Sequence, residues 1–325
     1  MNFQNYQTAA NNGNARAQVD LALCYTQGLG TDQSLTDAIY WFTQSANQNN
    51  RDAQYNLSLC FEHGHGTEID LNEATFWLIK AAINDHSDAQ VHLATNYFTG
   101  HGVKQSNQLA LYWFEKAAEQ DNDVAQYNLG IFYENGIAVS QDLDQAIFWF
   151  KKAALQGNVL AQNNLGVLYS DNDNKLMSEA IKWFTIAAQR NNPFAQFNLA
   201  TCYADGDGLE QNLEKAAYWY NEAAVNDNIY AQHKLALCYL NGIGVMIDLD
   251  KAAFWFTKAA SAGLDQAQYY LGTCFESGSG VELNFDSANF WFAKAAKQGH
   301  IEAAFKLGAI INMDKIWTNP RRYIF

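Results

Sequence analysis

The chain has 325 residues, 49% of them hydrophobic, with 9 Trp, 17 Tyr and 20 Phe, and its two prolines leave long helices free to form. Its formal net charge is −14, and residues 1–140 hold 15 acidic against 5 basic side chains, a surface that repels nucleic acid and anionic membranes and favours a basic protein partner, while also serving plain solubility. No apolar run is long enough to span a membrane, and residues 1–13 lack the basic head and apolar stretch of a signal peptide, so the expected location is cytoplasmic, with export by a non-classical route left open.

Tryptophan recurs at 41, 77, 113, 149, 183, 219, 255 and 291, in steps of 36 with a single step of 34. Ala-Gln pairs keep the same beat at 17–18, 53–54, 89–90, 125–126, 161–162, 195–196, 231–232 and 267–268. A fixed period of this size marks a solenoid, in which one supersecondary unit stacks on copies of itself.

Within a unit the elements follow in a constant order. The first half reads Ala-Gln-x-x-Leu-x-x-x-aromatic, as in Ala53, Gln54, Leu57 and Phe61, which places one apolar stripe on a helix. Gly-x-Gly, as in Gly64 and Gly66, then stops that helix; Gly136 with Ala138 is a variant. Four residues before the first core alanine of the second helix stand Ser34, Asp70, Ser106, Asp142, Asn212, Asp248 and Asn284, all preferred N-caps. The second helix runs Ala-x-x-Trp-aromatic-x-x-x-Ala. Three residues beyond its last alanine stand Gly13, Asn49, Asp85, Asp121, Gly157, Asn191, Asp227, Gly263 and Gly299, each tolerant of the left-handed conformation.

An isolated unit cannot hold itself together. Burying one Trp is worth roughly 5 kcal/mol, against about 1.5 kcal/mol for each residue ordered. The five cysteines fall at repeat-equivalent positions, with Cys24 and Cys60 36 residues apart, as are Cys202, Cys238 and Cys274 in succession. Equivalent residues of stacked helices lie ~8–10 Å apart, beyond the ~7 Å limit for a disulfide, so these thiols are expected buried and unpaired in a reducing compartment.

Ala125-Gln126-Tyr127-Asn128-Leu129-Gly130, followed by Tyr133, Gly136, Asp142, Ala146, Trp149-Phe150 and Lys152-Ala153-Ala154, resembles the pattern of the Sel-one-like repeat (SLR) family, relatives of the tetratricopeptide repeats. The resemblance spans roughly residues 3–311. Residues 3–12 resemble a worn second helix, with Asn5-Tyr6 where Trp-aromatic stands elsewhere, and 301–311 a lone first helix. The resemblance implies an all-α fold, a right-handed α/α superhelix over residues 1–311, closed by a capping tail at 312–325. It also implies a scaffold or adaptor for other proteins.

By the same resemblance a concave groove is lined by first-helix positions just after Ala-Gln and one or two turns on. Candidate partner-binding residues are Tyr55, Glu62, Thr95, Phe98, Tyr127, Glu134, Asn163, Phe197, Thr201 and His233, with Leu59, Val91, Ile131, Val167 and Leu237 beside them. Their aromatic rings could grip an extended or helical peptide.

Two clusters carry metal-ligating residue types. Glu62, His63, His65 and His101 offer three imidazoles, but Gly64 and Gly66 loosen the loop and no fourth ligand is evident. Asp171-Asn172-Asp173-Asn174, with Asp205 and Asp207, offers carboxylates, yet a calcium loop's sixth-position glycine is missing and Lys182 occupies the twelfth. The 34-residue unit also puts Leu176 at its N-cap. The expectation is no metal and no cofactor. No nucleophile elbow, phosphate loop, dinucleotide fingerprint or His-Glu-x-x-His occurs, and no catalytic residue is assigned. The leading expectation is a non-enzymatic scaffold or adaptor; the alternative is an inhibitor or immunity protein that plugs an enzyme with its acidic surface.

Overall fold

A computed structural model describes residues 3–171 and 176–308. Among these every regular element is a helix, and the chain is an all-α helical-repeat solenoid. It divides into two compact units, Met1–Ala161 and Gln162–Phe325. The first holds α1 (Phe3–Asn11), α2 (Ala15–Gln27), α3 (Leu35–Ala46), α4 (Arg51–His63), α5 (Leu71–Ile83), α6 (Ser87–Thr99), α7 (Asn107–Glu119), α8 (Asp123–Asn135) and α9 (Leu143–Leu155). Most of α10 (Val159–Asp171) belongs to the second unit, with α11 (Met177–Gln189), α12 (Pro193–Asp205), α13 (Leu213–Val225), α14 (Ile229–Asn241), α15 (Leu249–Ser261), α16 (Asp265–Ser277) and α17 (Phe285–Lys297). Residues 301–308 are also helical. Within each unit, consecutive helices pack as hairpins. The expected tail at 312–325 lies outside the described residues, as do Asn172, Asp173 and Asn174.

The punctuation falls where the residue types place it. Each of the seven expected N-caps accepts a backbone N–H of its own helix, for instance Asp142 from Gln145 at 3.0 Å. Leu176 makes no such bond. Asn49, Asp85, Asp121, Asn191 and Asp227 all take the left-handed conformation, with φ between 58° and 61°. The second glycine of Gly-x-Gly has a further duty: a Cβ on Gly280 would collide with the Leu249 carbonyl at the start of the preceding second helix. Ala138 accepts the same left-handed geometry, at φ 59°, with its methyl in place.

Burial of the tryptophans is incomplete. The fully buried side chain is the residue after each Trp: Phe42, Leu78, Phe114, Phe150, Phe184, Tyr220, Phe256 and Phe292 are at most 4% exposed. Trp77 and Trp183 are buried, but the other six of the series keep part of the indole at the surface. Facing the buried ring from the first helix is an invariantly enclosed leucine, such as Leu57 or Leu271. The glutamine of Ala-Gln is a buried connector. Gln54 donates Nε2 to the Ala46 carbonyl at 3.2 Å, and its Oε1 accepts from Asn84 Nδ2 at 2.8 Å. One amide thus ties the ends of two successive second helices, and the arrangement recurs at Gln18, Gln90, Gln196, Gln232 and Gln268 on the carbonyl side.

Candidate partner-binding face

The first helices of the first unit carry six of the ten candidates. Tyr55 and Glu62 sit two turns apart on α4, Thr95 and Phe98 one turn apart on α6, and Tyr127 and Glu134 two turns apart on α8. Thr95 and Phe98 are exposed, and the other four are half-buried. Phe98 reaches the next first helix, its ring centroid 5.5 Å from Phe132, and Tyr127 leans on Phe150 at 5.8 Å. These rings present apolar surface on a rigid helical base. Asp52, Asp88 and Asp123 stand in the first turns of the same three helices, so the surface is flanked by carboxylates.

Between α4 and α6 the face is cemented by histidines. Glu62 receives His92 Nε2 at 3.2 Å and His101 Nε2 at 3.4 Å. His86 caps α6: its Nδ1 accepts the Ala89 amide at 3.1 Å, and its ring lies 4.5 Å from that of Tyr55. Burial holds the His86 imidazole below its ordinary range, outweighing the opposing pull of Asp52 and Asp88. That agrees with a cap that needs an unprotonated Nδ1. Burial, with Asp88 and Glu62 second, raises the Tyr55 phenol. His101 therefore joins Glu62 and the third hairpin, while His63 and His65 face each other with ring centroids 5.5 Å apart. Among the described residues no group of three or more His, Cys, Asp or Glu is arranged to hold a metal ion.

The second unit places its candidates differently. Phe197 and Thr201 on α12 are half-buried; Thr201 Oγ1 lies 3.3 Å from the Tyr220 hydroxyl, and Phe197 packs between Tyr220 and Tyr230. Asn163 and His233 are correctly placed in register but are only 8% and 5% exposed, so neither offers itself to a partner. Asn163 spends its amide internally, donating to Asn164 Oδ1 and accepting from Asn198 Nδ2. His233 is wedged against Phe256 and Tyr270, its Nδ1 buried without a partner among the described residues. Burial pushes its imidazole down to about 4.

The cysteines are free and buried, and burial raises Cys60, Cys202, Cys238 and Cys274 to about 11, far from thiolate reactivity. No helix among the described residues is long and apolar enough to cross a membrane. Two features escaped the reading of the sequence. The first helices have their own N-caps, Asn14, Asn50, His86, Asn122, Asn158, Asn192 and Asn228, three residues before seven of the eight Ala-Gln pairs, whereas Leu264 before the eighth makes no such bond. The residue before Trp is an aromatic ring in seven of the eight units and stands 46–56% exposed, from Tyr40 to Phe290. Both were visible as periodic positions in the sequence.

With hairpin pitch, caps and core in view, the class is a protein built from stacked helical hairpins. The chain belongs to the Sel1 repeat family, which matches residues 15–50, 51–86, 87–122, 123–158, 159–192, 193–227, 229–264 and 265–300. Each matched stretch is one hairpin of the fold. The chain is similar to a protective antigen of uropathogenic Escherichia coli that displays an SLR fold, at 34% identity and TM-score 0.86 over 95% of this chain and 67% of that one. It is also similar to a Sel1 repeat protein from Oxalobacter formigenes, at 28% identity and TM-score 0.73, covering 94% and 89%. No curated protein matches the sequence.

Proposed function

We propose that this chain is a non-enzymatic scaffold or adaptor that takes a protein or peptide partner on the first-helix face of its first unit. The observation that supports this reading best is the run from Tyr55 through Phe98 to Tyr127, rings held on rigid helices with Asp52, Asp88 and Asp123 at its margin. Such a surface suits a segment that offers apolar side chains flanked by lysine or arginine. Selection of random displayed peptides on the full chain tests it. Enrichment of basic, apolar-containing sequences is expected, with binding that weakens in salt and falls on Phe98→Ala or Tyr127→Ala. Peptides that ignore both substitutions, or bind equally well in high salt, would place the contact elsewhere.

A further inference from the structure

In the second unit, the exposed rings before Trp255 and Trp291 each belong to a longer stripe. On α15, Asp250, Phe254 and Lys258 stand at i, i+4 and i+8, and on α17, Asp286, Phe290 and Lys294 repeat the spacing. That spacing puts each trio on one helical face, and all six residues are exposed. Phe254 and Phe290 are 52% and 53% exposed, each packed edge-on against the following Trp at 5.0 and 5.1 Å. Lys258 and Lys294 lie over these rings at 5.8 and 4.7 Å. The helix dipole accounts for a carboxylate in the first turn and an ammonium in the last. It gives no reason for a phenylalanine half in water between them.

We propose that this face is a contact between two copies of the chain, α15 against α15 and α17 against α17, each pair antiparallel. The charge order selects both the occupant and the symmetry. A twofold axis lying in the contact plane across the helices sets Asp250 against Lys258 of the second copy, Asp286 against Lys294, and ring against ring. An axis along the helices would set carboxylate against carboxylate. A self-complementary patch of this kind is what an isologous dimer requires. The contact is centred on these two helices, because Glu214 and Glu222 flank Tyr218 on α13 and would repel their own copies. Two 13-residue helices, each ~20 Å long and ~10 Å wide, cover well under the ~800 Å² per partner of a standard interface. The dimer is therefore weak and concentration-dependent.

Sedimentation of the full chain over rising concentration tests this. The mass should climb from 36.4 kDa towards twice that value, less so in high salt. Lys258→Asp with Lys294→Asp should weaken association by roughly tenfold or more. Adding Asp250→Lys and Asp286→Lys should restore it, since the charge order is then reversed but still complementary. Helicity and the unfolding midpoint of every variant are measured alongside, so that lost folding is not mistaken for lost contact. A chain that stays monomeric to its solubility limit overturns the proposal. So does a dimer indifferent to the lysine reversal, or one that the fourfold swap fails to recover.

Discussion

The same junction is built twice, with one residue changed. Where α4 meets α6, Tyr55 and Glu62 face His86 and His92; where α16 meets the helix at 301–308, Tyr269 and Glu276 face His300 and Lys306. The spacings agree: both acid pairs are 30 residues apart, and both histidines cap their helix through Nδ1, to the amides of Ala89 and Ala303. The rings differ in pose, tilted by 39° at Tyr55–His86 and near-parallel at 18° at Tyr269–His300. Lys306 brings an ammonium to its carboxylate. His92 brings an imidazole that donates through Nε2, and His101 adds a second one from the following loop. Repeat register thus fixes which positions meet, while residue type decides whether the meeting is an ion pair or a hydrogen-bonded cluster.

The packing beneath both junctions should be equivalent, and cavity formation tests that with the largest expected effect. Leu57 and Leu271 are fully enclosed at matching positions. Leu57→Ala and Leu271→Ala should each cost about 2–5 kcal/mol by denaturant unfolding, and similar values would confine the difference to the polar layer. A pH scan comes next and separates buried histidines from bridging ones. His233 faces Lys234 and Asp265, with its ring against the stacked rings of Phe256 and Tyr270, and its folded value near 4 lies below the ordinary 6.5. The neutral ring is therefore the stabilising form. Its contribution is complete above about 6.5 and is lost as the pH falls through about 4, on the order of 3 kcal/mol in all. His233→Phe, copying the repeat-equivalent Phe197, should flatten that acid limb. An unchanged limb would assign the acid sensitivity to other groups, His86 first among them, since its shift has the same sign.

The frame was open to reading because each rule behind it is local. A left-handed Asp85 or an N-cap at Ser34 depends on a few adjacent residues, and 36-residue recurrence repeats the evidence in every unit. Burial of the positions after Ala-Gln was not open in the same way. Tyr55, Tyr127, Asn163, Phe197, His233 and Tyr269 share one register, yet they range from half-buried to 5% exposed. What covers them is the neighbouring hairpin's side chain, such as Asn198 over Asn163 or Tyr270 over His233. The buried Gln escaped explanation for the same reason, because its partners come from two different second helices.

That connector gives a smaller effect shared by both junctions. Gln268 donates to the Ala260 carbonyl at 3.2 Å and accepts from Gln298 Nε2 at 2.9 Å, matching Gln54 with Ala46 and Asn84. Gln54→Leu or Gln268→Leu fills the space but removes two hydrogen bonds and leaves the Ala46 or Ala260 carbonyl only the amide of Asn49 or Gly263, for an expected loss of about 1–3 kcal/mol. Equal losses would mark the tie as common to the fold.

The smallest effect is also the most discriminating, since it exchanges the one residue that differs. Lys306 is 39% and Glu276 27% exposed at the side chain, whereas His92 and Glu62 are 20% and 12%. An exposed pair of this kind contributes about 0–1 kcal/mol, and salt erodes it. Lys306→Met should therefore scarcely move the unfolding midpoint and should reduce its salt dependence. His92→Met has a different consequence. It leaves Glu62 with His101 alone in a more enclosed setting, where an under-paired carboxylate costs more than a surface pair gains. Hydrogen exchange of the amides at the end of α4 should then quicken more than exchange at the end of α16 does in Lys306→Met. If the two substitutions loosen their junctions equally, the burial of Glu62 contributes nothing beyond the shared register, and the histidine cluster is a variant of the ion pair rather than a separate device.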